Sequence, residues 1–172
     1  MELFIRKGKS DELTIVFDLL YNAAIWLKNE KVDYWQNWLA PSELHLNWIK
    51  EGLDNGEFYF VYSNEDIIVG MYRLQYSDEM FWGKRNDKAG YIHSFTTNRE
   101  YKGKKIGFRI LESIEKGLLE IGSDYLRLDC SPDIKGLCKY YEDYGFEPRE
   151  TVIVHGQTLR LYEKKMTTIA RN

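Results

Sequence analysis

Residues 90–107 read GYIHSFTTNREYKGKKIG, and what they form decides the fold. Gly90 to Thr97 has the aromatic and β-branched content of a strand. From Lys104 to Ile121 the apolar residues Ile106, Ile110, Ile114, Leu118 and Ile121 keep to one side of a helix. Glu112 and Lys116 pair outside it at i, i+4, and Gly122 stands where the helix would close. Tyr125 to Cys130 then alternates Leu126, Leu128 and Cys130 against Tyr125, Arg127 and Asp129, which predicts another strand. Strand, crossover helix, strand is a βαβ unit, and its two strands are expected to run parallel.

Upstream, Leu3 to Arg6 reads as a short strand, and Ser10 is placed to cap a helix whose stripe is Val16, Leu19, Leu20, Ala23 and Leu27. Pro41-Ser42 opens a second helix that runs to about Leu53 and ends at Asn55-Gly56. Phe58, Phe60 and Tyr62 alternate as a strand, and the polar turn Ser63 to Asp66 leads to Ile67–Leu74, predicting an antiparallel hairpin. Ser77 to Lys88 reads as a polar loop. Downstream, Pro132 is expected to start a helix carrying Ile134, Leu137, Cys138 and Tyr141 that stops at Gly145-Phe146. Thr151–Val154 and Thr158–Glu163, joined by His155-Gly156, predict a closing hairpin. The order is β-α-α-β-β-β-α-β-α-β-β, with no internal repeat and no linker. It predicts one mixed α/β (α+β) domain over 1–166 and a frayed tail over 167–172.

The chain has 172 residues, 44% hydrophobic and 30% charged, with only 3 Pro, which is enough to bury a full core without covalent staples. Its 24 basic and 27 acidic residues leave a formal net charge of -3, so nucleic acid is not expected as a partner. The amino terminus lacks the apolar run of a signal peptide, and no stretch approaches the ~20 apolar residues that span a bilayer. The expectation is a cytoplasmic protein off the membrane. Cys130 and Cys138 have neither CxxC spacing nor a histidine cluster, so no disulfide framework and no metal site are expected. GxSxG, HExxH and EF-hand patterns are absent from the sequence.

Asn98 to Gly107, between the central strand and its helix, combines Gly103 and Gly107 with Lys102, Lys104 and Lys105. Such a bend suits an anion, because glycine lets successive amides turn inward and the first helical N–H groups lack intrahelical partners. The same composition also fits a solvated loop with a charged helix start. It is neither a P-loop nor a GxGxxG fingerprint.

Tyr101-Lys102-Gly103-Lys104-Lys105-Ile106-Gly107 after a strand, then helix and strand, then Tyr140-Tyr141-Glu142-Asp143-Tyr144-Gly145-Phe146, resembles the GCN5-related N-acetyltransferase (GNAT) superfamily. The resemblance implies a mostly antiparallel central sheet flanked by helices, and acetyl-coenzyme A (acetyl-CoA) as acyl donor. The family signature Q/R-x-x-G-x-G/A falls on Lys102 to Gly107, so Lys102, Gly103, Lys104, Lys105, Ile106 and Gly107 would meet the pyrophosphate. Lys102 stands in place of Gln or Arg, and Lys105 in place of glycine. A positive φ at Lys105 would be strained by roughly a kcal/mol or more. The family's frequent Asn early in the later helix is Ile134 here.

By the same resemblance the amides of Phe95 and Thr97 would pair with the pantetheine arm, that of Phe95 near the thioester carbonyl, where an N–H stabilises the developing oxyanion. Tyr141, four residues before Gly145-Phe146, would protonate the departing thiolate, although it also belongs to the apolar stripe of its helix. His93, two residues before Phe95, is the choice for general base, with Glu79 second. Trp35 and Trp38, set between helices in a polar stretch, would contact the acceptor. The expected reaction is acetyl transfer to a primary amine of a small molecule or peptide by direct attack, with Cys130 and Cys138 as bystanders. A non-catalytic acyl-CoA-binding sensor is the alternative that Lys105 and Ile134 leave open. The closing hairpin and exposed aromatics would also support a homodimer.

Overall fold

Alternation and helical spacing resolve, in a computed structural model describing residues 1–64 and 66–167, into β1 (Leu3–Lys7), α1 (Leu13–Asn29), α2 (Glu43–Asp54), β2 (Phe58–Ser63), β3 (Ile68–Gln75), α3 (Glu79–Trp82), β4 (Ala89–Thr97), α4 (Ile106–Glu120), β5 (Tyr125–Cys130), α5 (Lys135–Tyr144), β6 (Glu147–Val154) and β7 (Gln157–Lys165). The strands form a seven-stranded sheet in the order β1-β2-β3-β4-β5-β7-β6. Pairing is antiparallel at β1–β2, β2–β3, β5–β7 and β6–β7, and parallel at β4–β5. This is the mixed sheet that the element order predicts, mostly antiparallel as the resemblance implies. Of the expected tail only Thr167 lies within the described residues. The chain divides into two compact units, Met1–Leu74 with Ser94–Gly107, and Gln75–His93 with Phe108 onward.

In the first unit, Val16, Leu20 and Ala24 of α1 are fully buried with Ile49, Phe58, Phe60 and Met71. Ala24 holds the inner position that the sequence assigned to Ala23. Each such side chain contributes about 1.5–3 kcal/mol by leaving water. Ser10 does not cap α1. The helix starts at Leu13 behind Glu12, whose carboxylate is held by Arg6 at 2.8 and 2.9 Å and takes the Lys9 N–H at 2.8 Å. Ser42 precedes α2 as expected, its N–H donating to His45 Nδ1 at 3.1 Å. Arg73, 2% exposed, donates to Glu57 Oε2 at 2.7 Å and to the Trp48 carbonyl at 3.0 Å.

In the second unit, β4 pairs with β5 over Ala89↔Tyr125, Gly90↔Leu126 and Tyr91↔Arg127, as the βαβ reading requires. A Cβ at Gly90 would stand 2.6 Å from Leu118 Cδ1, so α4 packs on β4 only because that position lacks a side chain. The helix begins at Ile106 instead of Lys104 because Lys105 has φ 53, and it ends at Glu120, which leaves Ile121 57% exposed. α5 begins at Lys135 instead of Pro132, since the Ile134 N–H turns back to the Ser131 carbonyl at 3.3 Å. The expected loop 77–88 contains α3, capped by Asp78 Oδ1, which accepts the Phe81 N–H at 3.4 Å. His155 and Gly156, with φ of 50 and 76, make the tight turn between β6 and β7.

Arg127 is the most heavily bonded side chain of this unit's centre. Only 1% exposed, it donates to Glu163 Oε2 at 2.7 Å, to both Asp87 oxygens at 2.6 and 2.7 Å, and to the Tyr91 hydroxyl at 2.8 Å. Its hydrogen bonds hold the Asp87 carboxyl below the ordinary range. Removing one partner of a buried pair strands the other charge, so Arg127→Ala should lower the unfolding free energy by about 3–5 kcal/mol. Glu150→Ala, which breaks the exposed pair with Arg85, should cost less than about 1 kcal/mol. Urea denaturation of both variants measures the contrast.

Candidate active site

The bend entering α4 is built in the first unit. Gly103 has φ 83 and Lys105 φ 53, and Lys102 to Lys105 are exposed. Alternating hand along a backbone aims successive N–H groups to one side, which is the geometry of an anion nest, and the leading N–H groups of α4 lack intrahelical acceptors. A Cβ on Gly103 would meet nothing within 4 Å, so the bend is open. These features fit a diphosphate. The amides of Lys102 and Lys104 are already taken by the Arg99 and Tyr101 carbonyls at 3.0 and 3.1 Å, so those two residues can offer an anion only their ammonium charge. Arg99 lies 3.8 Å over the Trp26 ring and ties the approach to the bend to α1.

Phe95 and Thr97 lie half-buried in the same unit, at the end of β4. Ser94, just before them, has φ 51, a left-handed conformation inside a strand that re-aims the residues following it. Trp38 is 6% exposed within the apolar core and Trp35 packs against that cluster. The polar setting expected for the pair is therefore not found: Trp38 faces the core, while Trp35, with φ 58, stacks on Tyr34 at 5.6 Å and is half-buried.

His93 belongs to the second unit. Its Nε2 lies 3.1 Å from Asp78 Oδ2 and its Nδ1 4.0 Å from Asp129 Oδ2, with side-chain exposures of 13, 6 and 11%. The ladder explains the approach of Asp129, since His93 and Asp129 each lie two residues past the pair Tyr91↔Arg127, where a period of two returns them to the same face. Burial pushes the Asp129 carboxyl up to about 6, with the Asp78 charge adding to the effect and His93 opposing it. Glu79 is exposed in the first turn of α3, and the carboxylate of this segment that reaches His93 is its neighbour Asp78.

Tyr141, 6% exposed on α5, has its ring 5.8 Å from Phe146 and 6.1 Å from Tyr162. Cys130 and Cys138 are buried free thiols with Sγ atoms 3.8 Å apart, and burial pushes the Cys130 thiol well up, which makes it a poor nucleophile.

A model of the acetyltransferase (GNAT) family matches residues 23–146. The chain belongs to the GNAT family. It is 24% identical over 153 residues to an uncharacterized N-acetyltransferase, YesJ, of Bacillus subtilis (strain 168), covering 87% of this chain and 82% of that protein. Its fold is similar to that of a GNAT-family acetyltransferase from Listeria monocytogenes 4b F2365, with a TM-score of 0.79 at 23% identity over 96% of each chain. It is also similar to aminoglycoside acetyltransferase AAC(6')-Ib in complex with coenzyme A, with a TM-score of 0.71 at 18% identity over 95% of each chain.

For a GNAT protein, the residues that sequence reasoning missed here are Asp78 and Asp129. Asp129 carried a signal, a lone carboxylate on the predicted strand paired with that of His93. Asp78 carried one only in hindsight, as a capping residue before Glu79-Met80-Phe81-Trp82.

Two outcomes follow from the backbone and charge of these sites. Lys105→Gly removes a left-handed non-glycine residue and should raise the unfolding free energy by about 1 kcal/mol, whereas Lys105→Ala keeps the strain and should give no gain in urea denaturation. Asp129 holds its proton to about pH 6 when folded and to near pH 4 when unfolded. The folded state thus binds more protons in that window, and stability falls as pH rises through it by an amount on the order of 3 kcal/mol. Asp129→Asn should abolish the fall and be the more stable protein at pH 7, as thermal unfolding from pH 4 to 7 would record.

Proposed function

We propose that this GNAT protein is a cytoplasmic N-acetyltransferase, acting as one domain over residues 1–166, that transfers the acetyl group of acetyl-CoA to a primary amine of a small molecule or peptide. The observation that carries the reading is the open bend of Gly103 and Lys105 at the start of α4 in a chain of this family. Bound acetyl-CoA supplies an activated thioester carbon. The amides of Gly103, Lys105, Ile106 and Gly107, with the ammonium groups of Lys102, Lys104 and Lys105, hold the diphosphate. The conformation of Lys105 is the one glycine would adopt, so the substitution leaves the bend's shape in place.

The β4 amides of Phe95 and Thr97 bind the pantetheine arm, with that of Phe95 directed at the thioester oxygen, where a donor of this kind is worth about 3–4 kcal/mol. His93 takes the proton of the attacking amine, directly or through water. Tyr141 gives a proton to the departing thiolate, a transfer that depends on positioning because a phenol is ordinarily a weaker acid than a thiol. Trp35 contributes an aromatic face to the acceptor. Transfer is direct, and the cysteines take no part.

Thermal unfolding with coenzyme A tests the first half of this reading: at 100 times the dissociation constant the ligand adds about 2.7 kcal/mol, so an unchanged melting temperature at millimolar coenzyme A would remove it. Tyr141→Phe should lower turnover at least tenfold while leaving the coenzyme A affinity within twofold, measured as thiol release against a panel of primary amines. Unchanged turnover would take Tyr141 out of the mechanism, and a chain that binds coenzyme A yet releases no thiol with any amine would be the sensor.

A further inference from the structure

The His93 ring is flanked at both nitrogens by carboxylates, and each is fixed from elsewhere. Asp78 spends Oδ1 on the Phe81 N–H at 3.4 Å, capping α3, while the Phe81 ring packs 5.4 Å from the imidazole. Asp129 is placed by β5, two residues past the buried Arg127. Asp78 Oδ2 lies 3.1 Å from His93 Nε2, yet this buried oxygen has no hydrogen-bond partner among the described residues. Leaving a buried carboxylate oxygen unsatisfied is costly. In the Arg127 cluster the carboxylates face a permanently charged guanidinium. Around His93 two carboxylates instead face an imidazole. Asp78 from the start of α3 and Asp129 from β5 face it with their carboxylates, and Phe81 packs its ring against it.

We propose that Asp78 and Asp129 are positioning residues whose carboxylates hold the imidazolium that His93 becomes when it takes the proton of the acceptor amine. The inference rests on the reading of His93 as the base. In that step the amine nitrogen bonds to the thioester carbon and its proton passes to the imidazole. The carbon–sulfur bond breaks with its electron pair going to sulfur, which leaves as a free thiol after taking a proton, so amine and thioester become amide and thiol. A carboxylate within about 4–6 Å favours a neighbouring cation, and two that are already fixed need no rearrangement when the charge forms.

The test uses Asp78→Asn, which keeps an oxygen for the α3 cap, together with Asp129→Asn and His93→Gln in the full chain. One readout needs no acceptor, namely carbon-13 NMR titration of the Asp129 carboxyl. Its midpoint near 6 should rise in His93→Gln and fall in Asp78→Asn, and no movement in either variant would overturn the proposal. The other is thiol release from acetyl-CoA with an alkyl diamine, an aminoglycoside and a short peptide with a free amino terminus, followed against pH. Asp78→Asn and Asp129→Asn should each lower kcat about tenfold at neutral pH and move the acid limb of the profile to lower pH, with KM for acetyl-CoA unchanged. Profiles that coincide with wild type would overturn the positioning role. If His93→Gln abolishes turnover while both Asp variants match wild type, the base stands and this inference falls. If His93→Gln is itself fully active, the base reading falls and takes the inference with it.

Discussion

The second unit is organised around a guanidinium taken out of water. Arg127 lies in the middle of β5 at a position that alternation marks as one face of a strand, and burying it there demands acceptors for its charged N–H groups. Asp87 supplies two acceptors, Glu163 one and the Tyr91 hydroxyl one, so a loop, β4 and β7 converge on a single side chain. Trp82 and Tyr125 close over its plane at 5.0 and 4.8 Å. The consequence is a fixed register. Tyr91 stands opposite Arg127, and two residues further along each strand His93 and Asp129 share a face.

That register gives the polar cluster its chemistry. A histidine on a strand is ordinarily one more half-buried side chain, and an aspartate on the neighbouring strand one more exposed charge. Held together away from water, the aspartate retains its proton to about pH 6, and a second carboxylate arrives from the cap of a four-residue helix. The Arg127 cluster and the His93 cluster thus lie side by side with opposite electrostatics. One is built on a permanently charged guanidinium, the other on an imidazole between two carboxylates.

The first unit answers a different requirement. Its core is made by α1, α2, β2 and β3 through Val16, Leu20, Ile49, Phe58 and Phe60, and its buried Arg73 is satisfied by Glu57 and the Trp48 carbonyl. This packing leaves the bend at Gly103 to Lys105 exposed and strained, with a lysine in a conformation that glycine adopts freely.

The order of the seven strands and of α1, α2, α4 and α5, the parallel β4–β5 pair and the hairpins were legible in the sequence, because each rests on local periodicity or on turn residues whose preferences act over a few positions; the four-residue α3 was not, being too short to show a period. Helix ends were less so: Lys105 and Ile134 are ordinary helix formers whose backbone is set by neighbouring turns, and Ser10 lost the cap of α1 to Glu12. The polar surroundings inferred for Trp38 failed because the residues near it in sequence are not those near it in space. Sequence alone singled out His93, Tyr141 and the bend. Only the tertiary structure brought Asp78 and Asp129 to the imidazole, since a contact across 15 or 36 residues depends on strand register and on a buried ion network that no local pattern encodes.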